Sequence, residues 1–78
     1  MIIKLYTTLG CHLCEQMEQL VAQAAFEQSL DIHLQHVEIS GDDQLEERYG
    51  IRIPVIQKPT GEELAWPVTL PQLIAFLT

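Results

Sequence analysis

Residues 2–14 read IIKLYTTLGCHLC and place two cysteines between a predicted strand and a predicted helix. Residues 2–6 are rich in β-branched and aromatic side chains, which predicts a short buried strand with Lys4 near an edge or reaching past one. From Cys11 to about Ser29 the chain has no Gly or Pro, and its apolar residues recur at the spacing of one helix face. These residues are Leu13, Met17, Leu20, Val21, Ala24 and Ala25. The order strand, break, helix therefore brings both cysteines to the mouth of the helix.

The following segment, residues 31–39, predicts a second strand. Its apolar residues follow two registers, so we expect a change of register or a bulge near Gln35 and His36. A strand, a helix and a further strand form a βαβ unit. The two strands of such a unit are parallel, and their crossover connection is right-handed.

Residues 42–49 predict a short second helix. Ser40 lies three residues before Asp43, a spacing that resembles a capping box and indicates the start of this helix. Gly50 is expected to end it in the left-handed conformation.

The last third of the chain predicts a hairpin and a final helix. Residues 53–57 and 63–66 are the two strands, joined by a turn that contains Pro and Gly. Thr69 or a neighbour is expected to cap the helix, with Pro71 in its first turn. The predicted order is βαβαββα, with the hairpin added antiparallel to the same sheet.

Length and charge limit the kinds of function. The 78 residues form one domain, 1–78, because two halves would each be too small to bury a core. With 11 Asp and Glu against 4 Lys and Arg, the net charge is -7, which argues against nucleic acids and anionic membranes. No apolar stretch is long enough to span a bilayer, and the first residues lack the apolar region of a signal peptide. We expect a cytoplasmic protein, and we expect it to be a monomer.

The spacing C-x-x-C at a helix start suits thiol–disulfide exchange. Residues three apart on a regular helix have Cβ atoms about 5–6 Å apart, whereas a relaxed disulfide needs about 3.5–4.5 Å, so the pair requires the adjustable first turn. The free N–H groups of that turn favour a thiolate at Cys11, the predicted nucleophile. Cys14 is the predicted resolving cysteine. His12 is also a predicted substrate-binding residue. Its positive charge would lower the pKa of Cys11 and Glu15 would raise it, so the net effect on that pKa stays open.

The runs KLYTTLGCHLC and, about forty residues later, YGIRIPVI resemble the glutaredoxin-like members of the thioredoxin superfamily, in particular small bacterial glutaredoxin-like domains. The resemblance covers essentially the whole chain and implies an α/β thioredoxin fold, with a four-stranded mixed sheet flanked by helices. It also implies that Pro54 is cis and lies against the disulfide, and that Ile53 offers its N–H and C=O to a peptide or to glutathione. Arg52 would then meet a substrate carboxylate, or it is a solvated charge.

The sequence departs from this family at the usual glutathione contacts. Members that use glutathione commonly carry Lys or Arg where this chain has Thr8, and a Gly-Gly turn where residues 66–71 read WPVTLP. Thioredoxins proper carry a buried carboxylate where this chain has Leu5. The resemblance implies an oxidoreductase that reduces protein or glutathione mixed disulfides, without a tightly bound cofactor and with glutathione as a candidate co-substrate.

Two other functions stay open. One is a glutaredoxin-like carrier that binds a metal or an iron–sulfur cluster through Cys11, and the other is a thioredoxin-fold adaptor with a vestigial redox site. A tetrahedral zinc site needs four ligands, and besides the cysteines only His12, His33 and His36 are available. No spacing brings His33 and His36 to the cysteines, so we predict no metal site and expect these two histidines at the surface.

Overall fold

Three helices and one four-stranded sheet form the structure, a computed structural model that describes residues 1–78. The elements are β1 (Ile2–Thr7), α1 (His12–Glu27), β2 (His33–Glu38), α2 (Asp43–Tyr49), β3 (Val55–Gln57), β4 (Glu63–Ala65) and α3 (Leu70–Leu77). The strands lie in the order β2-β1-β3-β4, with β1 parallel to β2 and antiparallel to β3, and with β3 antiparallel to β4. The predicted order βαβαββα and the mixed sheet are confirmed.

The larger core lies between one face of the sheet and the helices α1 and α3. Ile3 and Leu5 from β1 and Ile56 from β3 are fully buried in it. The other buried members are Met17, Val21, Ala24, Val68, Leu73 and Leu77. Burial of a large aliphatic side chain contributes about 1.5–3 kcal/mol. This layer therefore fixes α1, and with it the cysteines at the start of α1, against the sheet.

The opposite face of the sheet has a smaller core beneath α2. Its buried members are Tyr6, Ile39, Tyr49 and Val55. The rings of Tyr6 and Tyr49 are stacked, with centroids 4.0 Å apart and planes 17° apart. Lys4, which we expected near an edge, lies in the central strand β1 between Gln35 and Gln57, and it is exposed.

The bulge expected near Gln35 and His36 is wrong. Strand β2 pairs with β1 one residue to one along its whole length. Leu34 packs against the larger core, whereas Val37 packs against the smaller one. The two registers in the sequence therefore come from apolar residues on both faces of a regular edge strand.

The ends of α2 differ from the prediction at both sides. Asp42, and not Ser40, is the N-cap, since its Oδ1 accepts the N–H groups of Gln44 and Leu45 at 3.1 Å each. Gly50 is right-handed, with φ -50° and ψ -42°, so the expected left-handed conformation is wrong. A Cβ at Gly50 would collide with the Glu46 carbonyl oxygen, so glycine is required there for space.

Helix α3 begins as the sequence indicates. The Thr69 side chain accepts the N–H of Gln72, the Gln72 side chain accepts the N–H of Thr69, and Pro71 lies in the first turn. None of the three helices has both the length and the apolar character that a membrane crossing requires.

Candidate redox site

Cys11 and Cys14 form a disulfide at the start of α1. Cys11 is the N-cap, with extended φ and ψ of -85° and 103°, and Cys14 lies in the first helical turn. Gly10, with φ +77°, turns the chain directly before them. The two Cα atoms are 5.2 Å apart, within the usual range of disulfides, because Cys11 lies just outside the regular helix.

The two sulfurs differ in exposure and in contacts. Cys11 is partly exposed, whereas Cys14 is 4% exposed and belongs to the buried residues. The backbone N–H of Cys14 donates to Cys11 Sγ at 3.1 Å. An amide donor at a helix start stabilises negative charge, so this contact favours a thiolate at Cys11 once the disulfide is reduced.

Glu38 holds the loop that leads into the cysteines, and the sequence analysis missed it. Its carboxylate accepts the N–H of Leu9 at 3.0 Å and the N–H of Ser40 at 3.1 Å. The Ser40 N–H is the main influence that lowers the pKa of Glu38, against an opposing effect of burial, with further help from Thr8 and Leu9. The sequence did contain a signal for this role, because Glu38 stands at the end of the strand predicted to be parallel to β1. The ends of parallel strands meet at one edge of a sheet, so Glu38 could be expected near the loop after β1.

An open groove of about 370 Å³ lies beside the disulfide. Its lining consists of Thr7, Thr8, Leu9, Gly10, Cys11, Cys14, Glu15, Glu18, His36 and Glu38, and we name it the disulfide groove. His36 Nε2 lies 3.3 Å from a carboxylate oxygen of Glu18, which ties the edge strand β2 to α1 across the groove. His36 thus lies in the same groove as the cysteines, so the expectation that it lies away from them is wrong. The groove offers sulfur, carboxylate, imidazole and apolar groups to a molecule that approaches Cys11.

We name residues 50–54 the proline loop. This loop leads into β3, whose Val55 pairs with Tyr6 near the end of β1, on the side of β1 that faces away from β2. The Ile53–Pro54 peptide bond is cis, as the family resemblance implied. Pro54 is buried, and its carbonyl accepts the N–H of Trp66 at 3.0 Å. The Trp66–Pro67 bond is also cis, which the sequence analysis did not predict.

Of the two backbone groups of Ile53 that we predicted to bind substrate, only the carbonyl is free of a hydrogen bond to a turn or loop. Its N–H donates to the carbonyl of Tyr49 at 3.0 Å, so a substrate cannot use it without displacing that bond. None of the turn and loop hydrogen bonds ends on the Ile53 carbonyl. A substrate could therefore gain one backbone hydrogen bond here instead of two.

Arg52 and His12, the two charged residues that we predicted to contact substrate, instead contact carboxylates of this chain. Arg52 lies 3.4 Å from Glu63 on β4 and 5.7 Å from the ring centre of Tyr49. His12 is 90% exposed and lies 3.7 Å from Glu15, three residues further along α1. The structure thus places Arg52 against β4 and His12 on the outer surface of the helix.

A partly buried hydrogen-bond network lies beside the proline loop. The Tyr49 hydroxyl donates to Glu63 at 2.5 Å, and Gln57 Nε2 donates to the same carboxylate at 3.3 Å. The Tyr6 hydroxyl donates to Gln57 at 3.1 Å. Burial, and secondly the hydrogen bond to Glu63, raise the pKa of Tyr49 above its ordinary value.

Comparison with known proteins agrees with this geometry. Residues 2–78 match the family described as glutaredoxin-like domain (DUF836). The X-ray structure of target protein XcR50 from X. campestris is 40% identical, with 96% of this chain and 93% of that chain covered and a TM-score of 0.82. Protein Ne2328 from Nitrosomonas europaea is 26% identical, with 97% and 89% covered and a TM-score of 0.76.

A more distant structure shows the fold alone. Thioredoxin 1 from Thermosipho africanus is 13% identical, with 99% of this chain and 90% of that chain covered and a TM-score of 0.61. No curated protein matches the chain. The fold is therefore the thioredoxin fold, as the resemblance implied.

Proposed function

Since the chain belongs to the glutaredoxin-like domain family, we propose that it is a thiol–disulfide oxidoreductase that reduces disulfides of proteins. The observation that carries this proposal is the Cys11–Cys14 disulfide at a helix start, with one partly exposed and one buried cysteine. Such an arrangement separates a sulfur that substrate can reach from a sulfur that only its neighbour can reach.

The reaction begins from the reduced pair. The Cys11 thiolate bonds to one sulfur of the substrate disulfide, and the other substrate sulfur leaves as a thiolate that takes a proton from solvent. The Cys14 thiolate then bonds to Cys11 Sγ and releases the second substrate thiol. Two electrons pass from the cysteine pair to the substrate, and an external thiol or dithiol returns the pair to its reduced form.

Contacts at the helix start support the roles of the two cysteines. Cys11 Sγ accepts the Cys14 N–H, which favours the attacking thiolate at this position. The burial of Cys14 keeps substrate from attacking the resolving sulfur and leaves Cys11 as its accessible partner. We expect the Ile53 carbonyl to accept one hydrogen bond from the backbone of the substrate, a contact of the strand-addition type.

Protein disulfides fit this site better than glutathione does. Glutathione carries two carboxylates, and a site for it needs cations near the reactive sulfur. Thr8 stands where family members commonly have a cation, and Arg52 is already paired with Glu63. Glutathione remains a candidate reductant, to be tested beside a dithiol.

Two cysteine variants test the mechanism. Cys11→Ser should abolish reduction of a disulfide substrate, because no other thiol is exposed to attack. Cys14→Ser should form a mixed disulfide with the substrate that cannot resolve, and intact-protein mass spectrometry would detect the added mass. Thermal unfolding of each variant serves as the folding control. Turnover by the Cys11→Ser variant at the wild-type rate would refute the proposal.

A further inference from the structure

Carboxylates are the main charged groups of the disulfide groove. Three carboxylates line it together with both cysteines, namely those of Glu15, Glu18 and Glu38. None of the 4 Lys and Arg residues of the chain does so. Two of these cations are held elsewhere, Arg52 against Glu63 and Lys58 against the carbonyl of Phe76.

The neighbours of these carboxylates include no Lys or Arg. Two backbone N–H groups, which carry no net charge, bind Glu38. Glu18 contacts His36 and Glu15 contacts His12, whereas the ion pairs of Arg52 and Lys58 involve Glu63 and Glu62. A substrate on its way to Cys11 therefore passes three carboxylates and no Lys or Arg.

The groove also has an exposed apolar side chain in its lining, since Leu9 is 92% exposed. Leu13, which lies between the two cysteines in the sequence but outside this lining, is 44% exposed. Exposed apolar side chains at the rim of a binding groove gain most from contact with another polypeptide. The site thus combines a reactive sulfur, an apolar contact and carboxylates, which is more than a cluster of acidic residues.

Resting on the proposed function, we infer that the disulfide groove selects polypeptide disulfides whose cysteine is flanked by Lys or Arg. When Cys11 attacks such a cysteine, the basic neighbours lie along the groove and face Glu15 and Glu18. Glu18 follows Cys14 by four residues on α1, about 6 Å along the helix axis, a reach that suits the long side chains of Lys and Arg.

The same charges work against acidic disulfides. A peptide with Glu beside its cysteine, or glutathione with its net negative charge, brings carboxylates toward carboxylates. Opposite charges in a cleft accelerate association about tenfold or more, and like charges slow it. Selection therefore acts on the rate of the first exchange step.

Three matched peptides test the inference with the full-length reduced protein. They differ only in the residues on both sides of one cysteine, Lys, Ser or Glu, and each cysteine is disulfide-bonded to 2-mercaptoethanol, a neutral thiol. Acid quenching and mass spectrometry give the second-order rate constant for release of the peptide thiol. At about 10 mM salt we expect the Lys peptide to react about tenfold faster than the Glu peptide. At about 1 M salt, where the screening length is about 3 Å, the ratio should approach one.

Two variants separate the groove from the intrinsic reactivity of the peptides. Glu15→Gln/Glu18→Gln should lower the Lys-to-Glu ratio by about threefold, because two of the three carboxylates are gone. Glu27→Gln, at the far end of the same helix and about 24 Å from Cys11, should leave the ratio unchanged.

The outcomes distinguish the inference from the proposed function. If the Ser peptide is reduced by the wild type and not by Cys11→Ser, the proposed function holds whatever the charge preference is. Equal rates for the Lys and Glu peptides, or a ratio that Glu27→Gln lowers as much as the double variant does, would then overturn the inference alone. No reduction of any peptide would overturn both.

Discussion

In the disulfide groove carboxylates surround a partly exposed sulfur, whereas in the proline loop the backbone N–H of Ile53 and the side chain of Arg52 are bonded to other parts of the chain. The groove presents carboxylates and a partly exposed Cys11 to an incoming molecule. The proline loop uses the Ile53 N–H for Tyr49 and Arg52 for Glu63. We therefore propose different tasks for the two sides of the site, with the groove meeting the substrate and the loop offering it one carbonyl.

The largest effect should follow from removal of the buried ring that supports the proline loop. Tyr49→Ala loses a fully packed aromatic side chain and should lower the free energy of unfolding by about 3–5 kcal/mol. Tyr49→Phe loses only the hydroxyl and its bond to Glu63, and should cost about 1–3 kcal/mol. Urea unfolding measures both. Equal losses in the two variants would mean that the ring stack contributes nothing and that the proline loop is held otherwise.

Alkaline pH should weaken the proline loop and leave the groove unaffected. The pKa of Tyr49 is raised in the folded protein, so folding favours the protonated hydroxyl. This stabilisation is complete below the unfolded pKa near 10 and is lost as the pH rises above it. The urea midpoint of the wild type should therefore fall more steeply above pH 10 than that of Tyr49→Phe. Parallel curves for the two proteins would contradict this origin.

Acid pH should weaken the groove in the complementary way. The pKa of Glu38 is lowered from its usual 4.5, so folding favours the carboxylate. This stabilisation is present above the unfolded pKa and is lost as the pH falls through the folded one. Glu38→Gln should flatten the decline of stability below pH 4.5, while Glu27→Gln should not.

Hydrogen exchange of backbone amides shows where in the chain the loss of the Glu38 carboxylate acts. Glu38→Gln should speed hydrogen exchange at Leu9 and Ser40, whose N–H groups the carboxylate accepts. Unchanged exchange at both amides would mean that Glu38 does not hold the cysteine loop.

The smallest effect is expected at Arg52. Its pair with Glu63 is partly exposed, so Arg52→Gln should change the free energy of unfolding by less than about 1 kcal/mol. Reduction of a neutral disulfide peptide should also continue, because the groove and the cysteines are intact. A loss of more than tenfold in that rate would show that the proline loop takes part in substrate binding through its charge.

Local patterns predicted much of the fold and the place of the cysteine pair. The C-x-x-C after a strand, the helix from Cys11 to about Ser29 and the cap of α3 at or beside Thr69 depend on neighbours in the chain. All three are confirmed, with the first helix at His12–Glu27. The cis Ile53–Pro54 bond followed from the family resemblance instead of from composition or spacing.

Features that depend on the three-dimensional path of the chain could not be predicted from the sequence. Either Ser40 or Asp42 can cap a helix, and the turn after β2 decides for Asp42. Gly50 looked like a left-handed helix end, although its small size is what the Glu46 carbonyl requires. The role of Glu38 needs the parallel pairing of β1 and β2.

The most direct test of the central claim is a redox titration of the Cys11–Cys14 pair. The protein is equilibrated with a range of ratios of reduced to oxidised glutathione, and with dithiothreitol ratios for the most reducing potentials. Free thiols are then alkylated, and mass spectrometry gives the fraction of the protein that is reduced. We predict a reversible two-electron transition at a potential between about -270 and -120 mV, the range of thiol oxidoreductases. A pair that stays oxidised below about -300 mV would be a structural disulfide and would contradict the account.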